Sequence, residues 1–170
     1  GSLNDPMVGE KGMVADGGVR VPFFVNWKGT IPAQRYEHPV ISLDASATAL
    51  ALAGVATGEG ALDGVNLMPY LTGKDSGAPH DALYWRWGGQ SAIRADNWKF
   101  YELENGTRML FDMYSDEYET KNRLREYPEV ARKLAEQLKT WRDELKPANF
   151  VRPYSGAEVE WYNHYFNLQD

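Results

Sequence analysis

An apolar stripe that follows Pro128 is the feature that most constrains the fold. Its side chains recur at steps of four, four, three and four, which places them on one face of an α-helix. Pro128 suits the first turn of that helix, and Pro147 would end it. A helix of this kind must bury its apolar face against another layer. The stripe comprises Val130, Leu134, Leu138, Trp141 and Leu145.

Three aromatic-rich segments precede this helix, between residues 82 and 114. They read "ALYWRWG", "SAIRADNWKFYEL" and "TRMLFDMY", and each partly alternates between apolar and polar side chains. Gly88-Gly89 and Glu104-Asn105-Gly106 separate them, and Asn-Gly favours the tight turn of a β-hairpin. The pattern predicts an α+β fold in which the long helix packs on a small antiparallel sheet of three to four strands.

The first 75 residues have a different pattern. The run Val19–Trp27 is almost entirely apolar after Pro22, as in a strand that is buried on both faces. The segment "SLDASATALALAGV" from Ser42 predicts a short, mostly buried helix that Gly54 ends. One buried strand and one helix are typical of the end of a larger α/β domain. We therefore expect this domain end over residues 1–75, the sheet and helix over 76–147, and an aromatic, aperiodic extension over 148–170 that wraps over a surface.

Composition excludes several classes of function. The formal charge of the 170-residue chain is −6, which argues against nucleic acid or an anionic membrane as the main partner. No stretch approaches the roughly 20 apolar residues of a membrane span. The chain has no cysteine, and its three histidines have no helical metal-binding spacing, so the sequence predicts no metal site of its own.

The segment from Lys11 to Arg20 is the strongest local signal for chemistry. A lysine on a glycine-rich turn can bind a tetrahedral anion, because its ammonium and the exposed backbone amides converge there. The alternative is a structural turn in which Lys11 and Arg20 pair with Glu10 and Asp16. The residues of this segment alone leave both interpretations open.

The order of motifs along the chain resembles the C-terminal third of the formylglycine-dependent sulfatases, in the alkaline phosphatase superfamily. That family shows a KGxxxEGGxRVPxxxxWPG pattern, which this chain matches over residues 11–29. An Asp-x-x-x-Thr helix start is matched by Asp44 and Thr48, and "DGVNLMPYLTG" resembles a DGxSLxPxLxG segment. The segments "ALYWRWG", "AIRADNWKF" and "LFDMYSDEYETKN" resemble the family's last motifs. Asp16, Lys28 and Glu117 depart from its usual Glu, Pro and Pro.

The resemblance implies roles for individual residues. Lys11 matches the family lysine that contacts the substrate sulfate. The residues at which a structural role is expected are Asp16, Gly17, Gly18, Arg20 and Asp44. His80 and Arg86 are further candidates for substrate contact, and the cluster of Trp85, Arg86 and Trp87 suits either sheet packing or stacking on a sugar or aryl ring.

The resemblance also implies what must lie elsewhere. The family nucleophile is a formylglycine made from Cys or Ser in a C/S-x-P-x-R motif, and no serine here has a proline two residues on. The family metal, usually Ca²⁺, is held by carboxylates and an asparagine that precede the lysine loop, and none of these ligands maps to this chain. We therefore expect no catalytic residue, cofactor or metal in this chain, and no activity of the chain alone.

The function expected from the resemblance is hydrolysis of a sulfate ester by a parent protein, with an N-terminal catalytic domain as partner. A phosphodiesterase or phosphonate hydrolase of the same superfamily, or a non-catalytic binding module, are the alternatives. An unpaired sheet edge and exposed apolar surface in residues 1–75 would drive the chain into a homodimer or larger assembly. Such enzymes are commonly exported, although the sequence does not fix the compartment.

Overall fold

A computed structural model of the protein describes residues 4–58, 60–146 and 157–167. The predicted mixed architecture is confirmed: a four-stranded antiparallel sheet carries a long C-terminal helix. The helices are Asp16–Val19 (α1), Leu43–Leu52 (α2), Met68–Leu71 (α3), Pro128–Glu144 (α4) and Ala157–Phe166 (α5). The strands are Ala82–Trp87 (β1), Gln90–Ala95 (β2), Trp98–Leu103 (β3) and Arg108–Asp112 (β4).

The sheet is a meander in the order β1-β2-β3-β4, so neighbouring strands in the chain are neighbours in the sheet. Gln90 pairs with Leu103 across β2 and β3, and Trp98 pairs with Asp112 across β3 and β4. Asp96 and Asn97 form the turn between β2 and β3, which divides the segment "SAIRADNWKFYEL" into two strands. Asp96 has a φ of 50°, a left-handed conformation that aspartate tolerates in tight turns.

One face of the sheet, called here the helix face, carries α4. Leu134 and Leu138 of the predicted stripe are buried there. Arg142 of the same helix donates hydrogen bonds to Ser91 at 3.1 Å and Glu102 at 2.7 Å. Since side chains two apart in a strand share a face, the buried Ile93 and Phe100 lie on this face too.

The opposite face, called here the loop face, is covered by two segments of the chain that are far apart in sequence. The buried residues Met13, Val14 and Ala15 pack on it from the N-terminal side. Tyr162 of α5 packs on it from the C-terminal side, with its ring 6.1 Å from that of Tyr101 in β3. The sheet is therefore the middle of three layers.

The chain divides into two compact units. One combines Gly1–Val21 with Tyr84–Asp170, and the other is Pro22–Leu83. In the second unit, the Thr48 hydroxyl of α2 accepts a hydrogen bond from the Leu67 amide at 2.9 Å, just before α3. The N-terminal segment thus groups with the sheet and not with residues 22–75, while the predicted domain boundaries themselves stay predictions.

The buried strand predicted over Val19–Trp27 is not formed. Val19 ends α1, and residues 20–27 have no regular structure and are exposed, with Phe24 at 90%. A strand requires a neighbour for its backbone hydrogen bonds, and no described segment pairs with this one. The exposed apolar surface expected here is therefore present, the strand predicted for it is wrong, and self-association through it stays a prediction.

Two further expectations need correction. Helix α2 has the predicted position, but only Asp44 and Ala47 are buried in it, because no layer of described residues covers its other sides. The extension over 148–170 is not aperiodic throughout, since Ala157–Phe166 forms α5 and buries Tyr162. Tyr162 and Phe166 are four residues apart, a spacing that indicates a helix, and their aromatic rings stack with centroids 5.6 Å apart. Residues 147–156 and 168–170 lie outside the described part.

Among residues 4–58, 60–146 and 157–167, no helix combines the length and apolar character needed to cross a lipid bilayer.

Candidate functional site

The candidate site is built around the loop that carries Lys11. The Met13 amide donates to the Glu10 carbonyl at 3.0 Å and closes a turn, in which Gly12 has a φ of 96°. Lys11 lies at the exposed tip of this turn. Met13, Val14, Ala15 and Asp16, the next four residues, are buried. An exposed ammonium is thus attached directly to a buried anchor.

Gln90, at the start of β2, ties this anchor to the sheet. Its side-chain amide donates to the Gly12 carbonyl at 2.6 Å, and its carbonyl oxygen accepts from the Val14 amide at 3.1 Å. The Tyr162 hydroxyl of α5 donates to the same oxygen at 2.8 Å. Gln90 therefore pairs the backbone on both sides of Met13, as a neighbouring strand would, and fixes the position of the turn.

A buried ionic cluster holds the other end of the loop. The Lys99 ammonium contacts Asp16 and lies 2.9 Å from the Glu119 carboxylate, and all three side chains are at most 5% exposed. Glu119 also accepts a hydrogen bond from the Asp16 amide at 2.9 Å and another from the Tyr101 hydroxyl. Burial, with the charges of Glu119 and Asp16, raises the pKa of Tyr101 well above its usual value. Tyr101 therefore stays a neutral donor, and the cluster is cross-linked from α1 to β3 and the turn after β4.

The two glycines after Asp16 are required by close backbone contacts. A Cβ on Gly17 would lie 2.3 Å from the Gly9 carbonyl oxygen, and one on Gly18 would lie 2.1 Å from that of Met13. Any larger residue would push the loop off the sheet. The structural role expected of Gly17 and Gly18 has this geometric basis.

Arg20 lies at the rim of the same cluster. Its guanidinium is 3.8 Å from Asp16 and 3.7 Å from Glu117, and the Arg20 side chain is 42% exposed. This is the pairing with Asp16 that the structural interpretation expects. Glu117, which stands where the resembled family has a proline, supplies the second carboxylate.

Asp44 and His80 come together in the other unit, away from this cluster in the chain. The His80 Nε2 atom lies 2.9 Å and 3.0 Å from the two oxygens of Asp44, whose side chain is fully buried. The same two oxygens accept hydrogen bonds from the Ile41 and Val65 amides at 2.9 Å. Asp44 thus organises the start of α2, and His80 completes it, which leaves Nε2 occupied and gives no support to the substrate contact suggested for His80.

Arg86 has an equally local partner. Its guanidinium donates to the Lys146 carbonyl at 3.3 Å, just beyond the end of α4, and thereby satisfies a backbone acceptor at the helix end. Its neighbour Trp87 points the other way in the strand and is 57% exposed. Trp85 lies with its ring centroid 5.5 Å from the Lys99 ammonium, a cation–π contact inside the cluster.

Lys11 itself has neither an ion pair nor a hydrogen bond with the described residues. The pairing with Glu10 that its structural interpretation requires is absent from this part of the chain, because Glu10 instead accepts a hydrogen bond from Tyr165 at 3.3 Å. Within the described ranges, no group of three acidic or histidine side chains converges as a metal site would need. The site therefore offers one cation for an anion, and the described residues do not fit a Ca²⁺ site.

Several residues on which the loop depends are not among those that the sequence motifs indicate. The signal for such residues is a polar side chain at a strand position that faces inward. Lys99 lies on the loop face of β3 together with Tyr101 and Leu103. A buried lysine at this position requires a buried counter-charge. The distance along the chain hides that partner, since Glu119 follows Lys99 by 20 residues and lies in the turn after β4. The missed residues are Gln90, Lys99, Tyr101, Glu119 and Tyr162.

Comparison with known proteins gives a consistent result. Residues 8–144 match the family described as N-sulphoglucosamine sulphohydrolase, C-terminal. The chain is 36% identical over 84 residues to the uncharacterized sulfatase YdeN of Escherichia coli, which covers 49% of this chain and 15% of YdeN. It is 36% identical over 86 residues to the steryl-sulfatase of Rattus norvegicus, again covering 49% of this chain and 15% of the relative. The chain thus spans a small part of the relatives it matches.

A solved structure, that of Ps i-CgsB in complex with k-i-k-neocarrahexaose, has the same fold with a TM-score of 0.77 and 28% identity. The match covers 94% of this chain and 37% of that one. The three motifs that meet at the loop, which contain Asp16, Lys99 and Glu119, all lie inside the region that the family match spans. The chain belongs to the family of sulfatase C-terminal domains.

Proposed function

We propose that this chain is the C-terminal part of a sulfuric ester hydrolase and that Lys11 binds the sulfate group of its substrate. In the overall reaction, water supplies the oxygen that completes inorganic sulfate, the ester bond breaks, and the released alcohol takes a proton. Lys11 acts on the sulfate oxygens, whose negative charge its ammonium offsets. Its role is electrostatic and requires no covalent step.

The observation that carries this proposal is the combination of an exposed lysine with a clamped backbone. Gln90 fixes the Gly12 carbonyl and the Val14 amide, and the Lys99 cluster fixes Asp16. A charge held in place before the substrate arrives costs no reorganisation when it binds, which is what makes electrostatic stabilisation effective. The structural alternative, in which Lys11 pairs with Glu10, has no matching ion pair among the described residues.

The proposal assigns the other catalytic groups to parts of a longer protein. The 170 residues contain no cysteine and no serine with a proline two residues on, and the described residues do not fit a calcium site. By the family resemblance, the longer protein would contribute a formylglycine nucleophile and Ca²⁺. This chain would then be inactive alone and would supply the lysine to a composite site.

We further propose that this longer protein covers the exposed apolar run after Arg20. Val21 and Phe24 are 70% and 90% exposed, which is unusual for large apolar side chains that follow one another in a chain. In isolation, the same surface would hold copies of the chain together. Light scattering on the chain and its Phe24→Ser variant tests this, since a monomer in both would contradict self-association.

The experiment that tests the role of Lys11 uses the longer protein that contains this chain. Lys11→Met should lower kcat/KM for sulfate esters by about 10²-fold or more, as loss of one stabilising donor does in other hydrolases. Lys133→Met is the matched control, because Lys133 is also exposed but lies on α4, which packs on the other face of the sheet. Equal activities of the Lys11→Met and wild-type proteins would contradict the proposal.

Two substrate series separate the alternatives. Turnover of sulfate esters with no turnover of phosphonate monoesters supports the proposed chemistry. Faster turnover of phosphonate monoesters or phosphodiesters than of sulfate esters would instead make the protein a phosphorus ester hydrolase of the same superfamily. Binding without turnover of either series, in the longer protein, would make it a binding module.

A further inference from the structure

The Lys11 turn is bordered by two tryptophans that the proposed function does not use. A Cβ placed on Gly12 would lie 3.6 Å from Cζ3 of Trp161 and 3.9 Å from Nε1 of Trp87. One indole comes from β1 and the other from α5, so their convergence on the residue next to Lys11 is a product of the fold. Trp161 is half-buried, whereas Trp87 is 57% exposed.

The exposure of Trp87 is not explained by packing. The neighbouring Trp85 on the same strand face contacts the Lys99 cluster and is only partly exposed, so the strand could have buried the next indole as well. The indole N–H of Trp87 has no hydrogen-bond partner among the described residues. An exposed indole with a free donor, beside the turn that carries Lys11, has the composition of a ligand site, in which a flat apolar surface and a few polar groups act together.

We propose that Trp87 and Trp161 form a stacking platform for a pyranose ring of the substrate, so that the sulfate esters bound at Lys11 are those of carbohydrates. This inference rests on the proposed function. A pyranose presents an apolar C–H face to an indole and hydroxyl groups around its edge. The N–H of Trp87 and the Glu10 carboxylate, which the Tyr165 hydroxyl orients at 3.3 Å, supply a donor and an acceptor for such hydroxyls.

The alternative ring, an aryl or steroid group, fits these residues less well. A ring without hydroxyl groups gains from a closed apolar pocket, whereas this platform adjoins a turn that carries two charged residues, Glu10 and Lys11. A relative bound to a neocarrahexaose shows that a carbohydrate can bind a protein with this domain. A steroid or aryl preference is an outcome that the experiment can detect.

The test compares two substrates in the longer protein, a sulfated neocarrahexaose and 4-nitrophenyl sulfate. Trp87→Ala should weaken binding of the oligosaccharide roughly 10-fold, the loss of one well-placed aromatic contact, and should do so mainly through KM. The loss for the small aryl sulfate should be several-fold smaller. Trp87→Phe should restore much of the oligosaccharide affinity, since it keeps a flat ring and loses only the N–H.

Tyr114→Ala is the matched control, because Tyr114 is 85% exposed and lies in the turn after β4. It should leave the KM values of both substrates unchanged. Titration calorimetry with the oligosaccharide gives a second readout that does not depend on turnover, and circular dichroism checks that each variant is folded.

The outcomes distinguish the two proposals. If Lys11→Met abolishes turnover while Trp87→Ala leaves both KM values unchanged, the platform is wrong and the function of Lys11 stands. If Trp87→Ala weakens binding of the aryl sulfate as much as binding of the oligosaccharide, the platform does not select a pyranose ring and the carbohydrate assignment fails. If Lys11→Met has no effect either, the proposed function fails first.

Discussion

The two faces of the four-stranded sheet are covered in different ways. On the helix face, one regular helix buries an apolar stripe, and its charged residue Arg142 reaches Glu102 at the partly exposed margin. On the loop face, irregular chain and a short helix cover the strands, and a complete ionic cluster is buried among the aromatic rings. Burying charge is costly unless each charge is paired. The loop face is therefore stabilised by specific ion pairs and hydrogen bonds, whereas the helix face is stabilised mainly by the burial of apolar surface.

This difference has a functional meaning, because Lys11 is attached to the loop face. Apolar packing alone would tolerate small shifts of the loop, since contacts between methyl groups have little directionality. Hydrogen bonds and ion pairs with fixed partners, such as those of Gln90 and Lys99, tolerate much less. The face that carries the candidate site is therefore the one whose geometry is specified most tightly.

The largest effect is expected for Lys99→Met. It leaves the carboxylates of Asp16 and Glu119 buried together without their common cation, and removal of one member of a buried ion pair costs about 3–5 kcal/mol. The free energy of unfolding, measured by urea denaturation, should fall by that amount.

A triple variant sharpens this prediction. Adding Asp16→Asn and Glu119→Gln to Lys99→Met removes the charges together while it keeps similar shapes, and the triple variant should regain a large part of the lost stability. A single Lys99→Met variant as stable as the wild type would mean that the cluster does not hold the loop face.

Leu138→Ala tests the helix face. Leu138 is fully buried under the stripe of α4, and truncation of such a leucine typically costs about 2–5 kcal/mol through lost transfer energy and the cavity that remains. Leu138→Met, which conserves volume, should cost less than about 1.5 kcal/mol. Unlike the Lys99 cluster, this face should therefore tolerate a side chain of different shape if its apolar volume is kept. Equal losses of unfolding free energy for Leu138→Ala and Leu138→Met would contradict stabilisation by apolar burial.

How far the sequence could predict each face follows from the same contrast. A regular helix has a periodic apolar pattern, so the position of α4 and its stripe could be predicted from the residues. The strands beneath it could be predicted from their partly alternating pattern and the turn residues between them. Nothing periodic links Asp16 with Lys99 and Glu119, because residues 83 and 20 positions apart meet only when the fold is complete. The family resemblance identified Lys11 as a candidate, but the residues that hold its loop were not recognised, since a polar residue in a strand indicates a partner without naming it.

Gln90→Ala should have an intermediate effect. It removes the acceptor of the Val14 amide and the donor to the Gly12 carbonyl, and buried groups left without partners cost about 1–3 kcal/mol. The matched control is Gln137→Ala on α4, because the Gln137 side-chain oxygen is buried without a hydrogen-bond partner. Gln137→Ala breaks no such hydrogen bond and should therefore lower the free energy of unfolding less than Gln90→Ala does. Equal destabilisation by the two variants, in urea denaturation at pH 7, would show that Gln90 contributes volume alone.

The smallest effect is expected at Glu102, where the helix face has its own ion pairs. Burial alone would raise the pKa of Glu102, but the hydrogen bonds and charges of Arg142 and Arg108 outweigh it and lower the pKa from its ordinary value of 4.5. A carboxyl group whose pKa is lower in the folded protein stabilises the fold above the unfolded pKa, and this stability is lost as the pH falls through the folded pKa. Glu102→Gln should therefore cost about 0.5–1 kcal/mol at pH 7, the range of partly exposed ion pairs.

The pH dependence makes this last prediction specific. The stability difference between the wild type and Glu102→Gln should shrink as the pH falls below 4.5, while other carboxylates affect both proteins alike and cancel. Glu104→Gln is the control, because Glu104 is exposed and has no ion pair with the described residues; it should change stability little at either pH. A difference for Glu102→Gln that is constant from pH 7 to pH 3 would mean that its charge has no part in holding α4. The helix face would then depend on apolar area alone, and the contrast with the buried charges under Lys11 would be complete.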